Sequence, residues 1–337
     1  MMRLIVATAL LFCVLIVLSV PAAMAQPAAA AEPIDQAGWA ARKRTVALPN
    51  GVRLAYVELG NPAGRPVLLL HGFTDSSRVW TILAPWLAGH RLLIPDQRGH
   101  GASSAPRCCY SMSDFTEDAR LFLDAMHVER AAVVGHSLGS MVAQTFAAEH
   151  PERVTRIVLI GSTALVPVRR GDWIWTQVMA LREPIASNTE FLRLWGPGSS
   201  PTPVDPALVR PYEPEIAATP PHVGRAVVRG LAEIPAGRLA ADVRAPVQIL
   251  SGGRDELFTA EHHAALVTAY PGAEAHVFPA LGHNLILERP GEVGPVLARF
   301  LARQPAADLS AGTCALSCAA TGLRPDAALA PRPPAVP

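Results

Sequence analysis

The sequence has almost no net charge. Lys and Arg number 29 and Asp and Glu 28, a formal charge of +1. A chain so balanced lacks the basic surface a nucleic-acid partner needs, and it suits no acidic polymer substrate. Lysine is nearly missing, with Lys43 the only one. Beyond the N-terminus no run is long and apolar enough to span a bilayer, so no second membrane segment is expected. There is no internal repeat, which excludes a stacked repeat array. Cysteine is scarce at five, and no histidine accompanies either cysteine pair at ligand spacing, so no metal site is expected. What the chain does have is core: 50% of its 337 residues are hydrophobic and 17% charged, which excludes wholesale disorder.

The one long apolar run lies at the start. Arg3 precedes an uncharged stretch from Leu4 to Val20, followed by Pro21 and the small-residue site Ala23-Met24-Ala25 before Gln26. This is the layout of a secretory signal peptide, with cleavage expected after Ala25 and a periplasmic or secreted product. The rival is an uncleaved anchor, the only membrane contact the sequence suggests. Export would place Cys108, Cys109, Cys314 and Cys318 in an oxidising compartment, while Cys13 leaves with the signal. Adjacent cysteines bond each other only with strain. One or two bridges from Cys108/Cys109 to Cys314/Cys318 are therefore expected, with a local Cys314–Cys318 bridge as the alternative.

After a flexible Ala/Pro-rich leader over 26–43, strands and helices alternate. Thr45–Leu48 and Val52–Leu59 flank Asn50-Gly51, a hairpin signal. Strands are expected at Val67–Leu70, Arg91–Pro95, Ala131–Gly135 and Val154–Ile160. Helices are expected at Ser77–Leu87, Asp114–Met126 and Leu138–Glu149. From 164 to 241 no strand stands out. Helices near Asp172–Arg182, Thr189–Leu194 and His222–Glu233 form an inserted helical cap. Its Trp173, Trp175, Met179, Phe191, Leu194 and Trp195 either line a pocket or, for the most part, pack the cap onto the body. The alternation resumes with Val247–Ser251, Ala260–Ala269, Ala275–Phe278 and Gly291–Ala302. The pattern predicts an α/β fold with a mostly parallel central sheet flanked by helices, its core in 44–163 and 242–303. Residues 304–337 form an Ala/Pro-rich tail.

The sharpest chemical signal is Gly135-His136-Ser137-Leu138-Gly139, with a strand before it and a helix after it. A strand that turns directly into a helix leaves no room for Cβ atoms beside the serine. The turn lifts the Ser137 hydroxyl above the sheet and aims the Leu138 N–H where an oxyanion would form. A serine hydroxyl needs a base to take its proton. Gly282-His283-Asn284 follows one late strand, and Gly252-Gly253-Arg254-Asp255 follows another. His283 is the expected base and Asp255 the acid that orients it. Taken singly, His283 could cap a loop and Asp255 a helix; the elbow makes those readings the weaker ones. His71-Gly72-Phe73 offers the Phe73 N–H as second oxyanion donor. In Asp96-Gln97-Arg98-Gly99-His100-Gly101, Asp96 and Arg98 are expected to satisfy backbone groups and each other, with Asp96 a minor alternative for the acid. His262 and His263 are adjacent and point apart, which suits no metal pair.

On these motifs and the order Ser137, Asp255, His283, the chain over about 44–303 resembles the α/β-hydrolase fold family, in its branch with a cap. The resemblance implies nucleophile, acid and base at those positions, oxyanion donors at Phe73 and Leu138, and neither cofactor nor metal. Epoxide hydrolases and haloalkane dehalogenases of this branch carry Asp as nucleophile, so Ser137 argues against both. The expected activity is cleavage of a carboxylic ester of a small or medium apolar substrate. Hydrolysis of C–C, lactone or amide bonds, or perhydrolysis, is the alternative. A non-catalytic binding member of the fold is a third.

Overall fold

The computed structural model describes residues 34–36, 38–183 and 200–303. The expected signal segment, the Thr189–Leu194 helix, Phe191, Leu194, Trp195, Cys314, Cys318 and the tail lie outside them.

A short helix α1 (Trp39–Arg42) leads into β1 (Arg44–Ala47) and β2 (Arg53–Gly60). These pair antiparallel around the Asn50-Gly51 turn, with Ala47 opposite Arg53 and Gly51 at φ 84°. The remaining strands follow: β3 (Pro66–Leu70), β4 (Arg91–Pro95), β5 (Ala131–His136), β6 (Val154–Ile160), β7 (Val247–Gly252) and the half-exposed edge strand β8 (Glu274–Phe278). Among the described residues these eight strands make one sheet in the order β1-β2-β4-β3-β5-β6-β7-β8, parallel from β4 onward. Reversal of strand order around β3 and β5 is the kind of switch point where open α/β sheets hold ligands.

The central strands read as continuous apolar runs because both faces are covered. Leu68, Val133, Ile157 and Ile249 point into one core, shared with Phe122 of α2 (Met112–Ala125) and Phe146 of α3 (Leu138–Glu149). Their neighbours Val67, Leu69, Val134, Val158 and Leu250 point into the other, shared with Trp80, Leu87 and Phe300. Ser111 caps α2 reciprocally with Asp114, which sets where that helix starts. The expected helix over Ser77–Leu87 is instead two 3₁₀ turns, Ser77–Ile82 and Ala84–Leu87. Pro85 lacks the N–H that would continue the first into the second.

Between β6 and β7 the described chain is helical: α4 (Trp173–Met179), α5 (Pro206–Val209), α6 (Glu213–Ala217), α7 (Pro221–Glu233) and α8 (Ala236–Leu239). The amphipathic α7 joins this insert to the body. Val223 lies beside Gly99, Gly224 faces the Phe73 ring, and Gly230 sits against the Tyr110 carbonyl. Trp175 and Met179 pack against the core, whereas Trp173 is 48% exposed. The chain ends its described part with α9 (Ala260–Ala269), α10 (Leu285–Glu288) and α11 (Pro290–Ala302). No described helix is long and apolar enough to cross a membrane.

One local expectation needs correction. Asp96 and Arg98 do not satisfy each other. Asp96 accepts from Lys43 Nζ at 2.8 Å and from the Ser77 and Ala102 N–H groups, each at 2.8 Å. Arg98 instead forks onto Asp118, with both contacts at 2.6 Å, and donates to the Cys109 carbonyl. A flat guanidinium favours such a bidentate partner over one carboxylate already saturated by other donors. Cys108 and Cys109 are exposed and not bonded to each other, and the partners expected for them, Cys314 and Cys318, lie outside the described residues.

Candidate active site

Ser137 stands between β5 and α3 with φ 52° and ψ −118°. Such a backbone costs about 1–3 kcal/mol and persists only where its surroundings enforce it. The flanking glycines show what enforces it. A Cβ on Gly139 would collide with the Leu70 carbonyl, and one on Gly135 with the Gly139 carbonyl. Ser140 Oγ holds the turn from below by donating to the Ser137 carbonyl at 2.6 Å. Gly139→Ala is therefore expected to lower folding stability by about 3 kcal/mol, the upper end for overpacking against backbone. Urea unfolding checks this, and an unchanged midpoint would contradict the close approach.

The three residues singled out from sequence meet in one hydrogen-bonded chain. Ser137 Oγ lies 2.9 Å from His283 Nε2, and His283 Nδ1 lies 2.8 Å from Asp255 Oδ2. Asp255 is 6% exposed, and its other oxygen accepts from the Leu257 and Phe258 N–H groups at 2.9 and 2.8 Å. Burial works to raise the Asp255 pKa, but the His283 charge and these hydrogen bonds outweigh it, so the carboxyl sits below its ordinary value. A carboxylate held ionised against Nδ1 fixes the proton there and leaves Nε2 as acceptor toward the serine. Asp96 is not part of this chain; it is committed to Lys43 and to the loop above β4.

Leu138 opens α3, so its N–H is among those at a helix start without an intrahelical partner. Phe73 follows β3 across from it. The loop that carries Phe73 is fixed by His71, whose ring is fully buried. His71 Nε2 accepts the Gln97 N–H at 2.9 Å, so Nδ1 carries the proton and donates to the Gly72 carbonyl at 2.8 Å. Burial, helped by His100, pushes its pKa down to about 3, so the ring stays neutral. Thr74, next to Phe73, is held at φ 65°, rare for a β-branched residue.

Other positioning groups gave no signal in the sequence. Both carboxylate oxygens of buried Glu288 accept the Gly282 N–H, at 3.0 and 2.9 Å, which seats the loop just before His283. His136, between Gly135 and the nucleophile, is buried and its Nε2 donates to the His283 carbonyl at 3.1 Å. Asp75 stands at the wall of the same site.

Two compartments flank Ser137. The larger, about 270 Å³, is mixed in polarity and lined by Asp75, His136, His283, Arg254, Glu256 and Trp173. The smaller, about 40 Å³, is apolar and lies under the insert, walled by Leu138, Met141, Val168, Ile174, Val228 and Phe258. Among the described residues no cluster of three His, Cys, Asp or Glu side chains gathers as a metal site. The arrangement can take a proton from Ser137, stabilise a positive imidazole, and present backbone donors to a developing negative oxygen.

Comparison with known proteins agrees with this geometry. The model of the alpha/beta hydrolase fold family matches residues 65–290. An uncharacterised protein of Mycobacterium tuberculosis is 30% identical over 271 residues, covering 75% of this chain and 79% of its own. The 2-hydroxymuconate semialdehyde hydrolase of Pseudomonas sp. strain CF600 is 28% identical over 267 residues, covering 74% of this chain and 90% of its own. Among solved structures, a hydrolase from Pseudomonas aeruginosa PA01 superposes with a TM-score of 0.70 at 26% identity, over 78% of this chain and all of that one.

Proposed function

The chain belongs to the α/β-hydrolase fold family, and from that premise we propose that it is an exported serine hydrolase cleaving a carboxylic ester through an acyl-Ser137 intermediate. The observation that carries this reading is the unbroken chain Ser137–His283–Asp255, at 2.9 and 2.8 Å. Export rests on the N-terminal pattern, which lies outside the described residues.

In this reading the ester carbonyl lies over Ser137 Oγ. His283 Nε2 takes the hydroxyl proton as Oγ bonds to the carbonyl carbon. The Phe73 and Leu138 N–H groups receive the charge that builds on the carbonyl oxygen. Asp255 stabilises the imidazolium that forms. His283 then gives its proton to the leaving alkoxide, and the C–O bond breaks to leave the acyl-serine. Water, deprotonated by His283, attacks that ester, and the acid departs as Oγ recovers its proton. The leaving oxygen must lie within reach of His283, so the alcohol part occupies the larger compartment, which His283 lines. The acyl part then falls to the apolar compartment, which His283 does not line.

The size of that apolar space sets a testable expectation. On p-nitrophenyl esters, the chain from Gln26 onward is expected to show highest kcat/KM from acetyl to butyryl. By octanoyl it should be no higher, since surplus methylenes stay in water and gain none of the about 0.8 kcal/mol that each buried one brings. Silence on the whole series would overturn the ester reading. One observation favours a second reading. A relative similar over most of its length is named as a hydrolase of a semialdehyde and not of an ester. Hydrolysis of a C–C, lactone or amide bond by the same three residues is thus the alternative, to be tried on substrates of those classes.

A further inference from the structure

We propose that Asp75 and His136 together receive a hydroxyl group on the alcohol side of the substrate, so that the site favours esters of hydroxylated alcohols. The inference rests on the serine-hydrolase reading above and names the substrate class it would take.

His136 stands beside the nucleophile. Its ring is 2% exposed, and Nε2 faces the His283 carbonyl at 3.1 Å. A carbonyl only accepts, so Nε2 carries the proton and Nδ1 is a bare acceptor. That Nδ1 is buried without a hydrogen-bond partner among the described residues. Buried polar atoms are nearly always satisfied, so an orphan beside a nucleophile calls for a donor from outside the chain. Burial first, then the neighbouring His283, pushes the His136 pKa down to about 3. The ring cannot satisfy Nδ1 by taking a proton.

Nδ1 points toward Asp75. The nearest carboxylate oxygen, Oδ2, is 4.0 Å away. That is too far for a direct hydrogen bond, yet a single oxygen set off the line between them can touch both at about 2.8 Å. The space for it is kept open by Gly72. A methyl group on that residue would lie 2.8 Å from Asp75 Oδ2, 3.2 Å from His136 Nδ1 and 3.4 Å from Ser137 Cβ. Carboxyl, imidazole and nucleophile thus converge on one small gap. The nearby cations are committed elsewhere: Lys43 contacts Asp96 and Glu215, and Arg78 pairs with Glu215. No Arg or Lys among the described residues pairs with Asp75.

The protonation of Asp75 fits the same ligand. Burial raises its pKa to about 7, against the opposing effects of the His283 charge and the Gly72 N–H, and with a further push from Glu215. Below that pH the Asp75 carboxyl is a donor. A hydroxyl can then accept from Asp75 and donate to His136 Nδ1, which matches every donor to an acceptor. Above it, the carboxylate and Nδ1 compete for the one hydroxyl proton, and one acceptor is left unmatched. A methyl ether has no proton to give and leaves Nδ1 orphaned at any pH. The titratable groups facing Asp75 are His136, His283, Glu215 and Tyr212, with Arg254 and Glu256 lining the same compartment. Burial drives the Tyr212 phenol far above this range. His283 acts on any ester alike, so its titration cancels when two esters are compared as a ratio.

The test compares 2-hydroxyethyl butyrate with 2-methoxyethyl butyrate, which differ only in the hydroxyl proton against a methyl group. The ratio of their kcat/KM values is expected to be about 10 at pH 6, the yield of one well-placed buried hydrogen bond. It should hold at pH 8.5, because the hydroxyl still gives its proton to Nδ1 or to the carboxylate and the ether has none to give. The part of Asp75 is read from 2-methoxyethyl butyrate against butyl butyrate, since only the ether oxygen can accept from the Asp75 carboxyl. That second ratio should fall about tenfold from pH 6 to pH 8.5 as Asp75 ionises, and by about as much in Asp75→Ala. In Asp75→Asn, which keeps an amide donor, it persists but no longer changes with pH. A hydroxyl-to-methoxy ratio near 1 in the unaltered protein, or a methoxy-to-butyl ratio that Asp75→Ala leaves unchanged, would overturn the proposal. The second readout needs neither turnover nor a variant that folds. In ¹⁵N spectra of the unaltered protein, the His136 Nδ1 resonance should shift on adding ethylene glycol and not on adding 1,2-dimethoxyethane. The absence of that difference counts against the proposal. Failure of the underlying reading looks different: a fluorophosphonate would then leave Ser137 unlabelled while the glycol shift is still seen.

Discussion

Replacing Ser137 by alanine is expected to lower kcat for p-nitrophenyl butyrate by about 10⁵–10⁶, the scale seen when a nucleophile of this type is removed. Alanine keeps the Cβ and therefore the same backbone demand at φ 52°. It removes only Oγ and its 2.9 Å contact with His283 Nε2. Stability should thus change by less than about 1 kcal/mol, as for the loss of one exchangeable hydrogen bond. The pairing of a large kinetic loss with an unchanged thermal midpoint is the signature expected of a nucleophile. A structural serine would show the reverse. Residual activity some 10³-fold over water is still expected, because the oxyanion donors and the compartments remain. Retention of more than about a tenth of the activity would exclude Ser137 as the attacking group, since loss of such a nucleophile costs orders of magnitude more.

Asp255→Asn is the second large effect, and its origin is geometric. Asp255 Oδ1 accepts from the Leu257 and Phe258 N–H groups, at 2.9 and 2.8 Å. An asparagine would keep its carbonyl oxygen there, because only an oxygen can accept both. Its NH₂ would then replace Oδ2 against His283 Nδ1. A donor at that position moves the imidazole proton to Nε2, and Nε2 can no longer take the Ser137 proton. A loss of about 10⁴ in kcat follows, with the fold intact. The lowered Asp255 pKa adds a pH dependence of known sign. A carboxyl depressed on folding stabilises the native state above its unfolded value near 4 and loses that contribution as pH falls through the folded one. Asp255→Asn should therefore flatten the acid limb of the stability curve. Acid titrations of the two proteins by circular dichroism measure this.

The parts of this molecule legible from sequence were those fixed by local rules. Arg91–Pro95, Val154–Ile160, Leu138–Glu149 and Ala260–Ala269 have the bounds expected for them. Buried parallel strands announce themselves as short apolar runs, and the helices by their period and by the turns that flank them. The elbow was legible because a steric need writes itself into the chain as glycine at 135 and 139. Ser137, Asp255 and His283 were legible because each stands in a short loop or turn just past a strand end, and parallel strands in one sheet deliver those loops to one edge.

What remained hidden depends on which distant loops touch. The Arg98–Asp118 pair is one case: Asp96 is nearer in sequence, but Lys43 from the leader side of β1 reaches it first. The approach of Asp75 to His136 is another, since nothing in either segment tells of a carboxyl folding back over the elbow. Glu288 is a third, an acid buried against Gly282 that nothing in its own segment marks out. The Ser77–Leu87 segment was misjudged for a different reason. Its apolar spacing suits a helix, and one proline divides it.

The most direct measurement is the mass of the intact chain from Gln26 after exposure to a fluorophosphonate, followed by peptide mapping. The account predicts one adduct, located on Ser137, that is absent from Ser137→Ala and much slower to form in Asp255→Asn. An unmodified Ser137 in folded protein, or an adduct on a different residue, would contradict it.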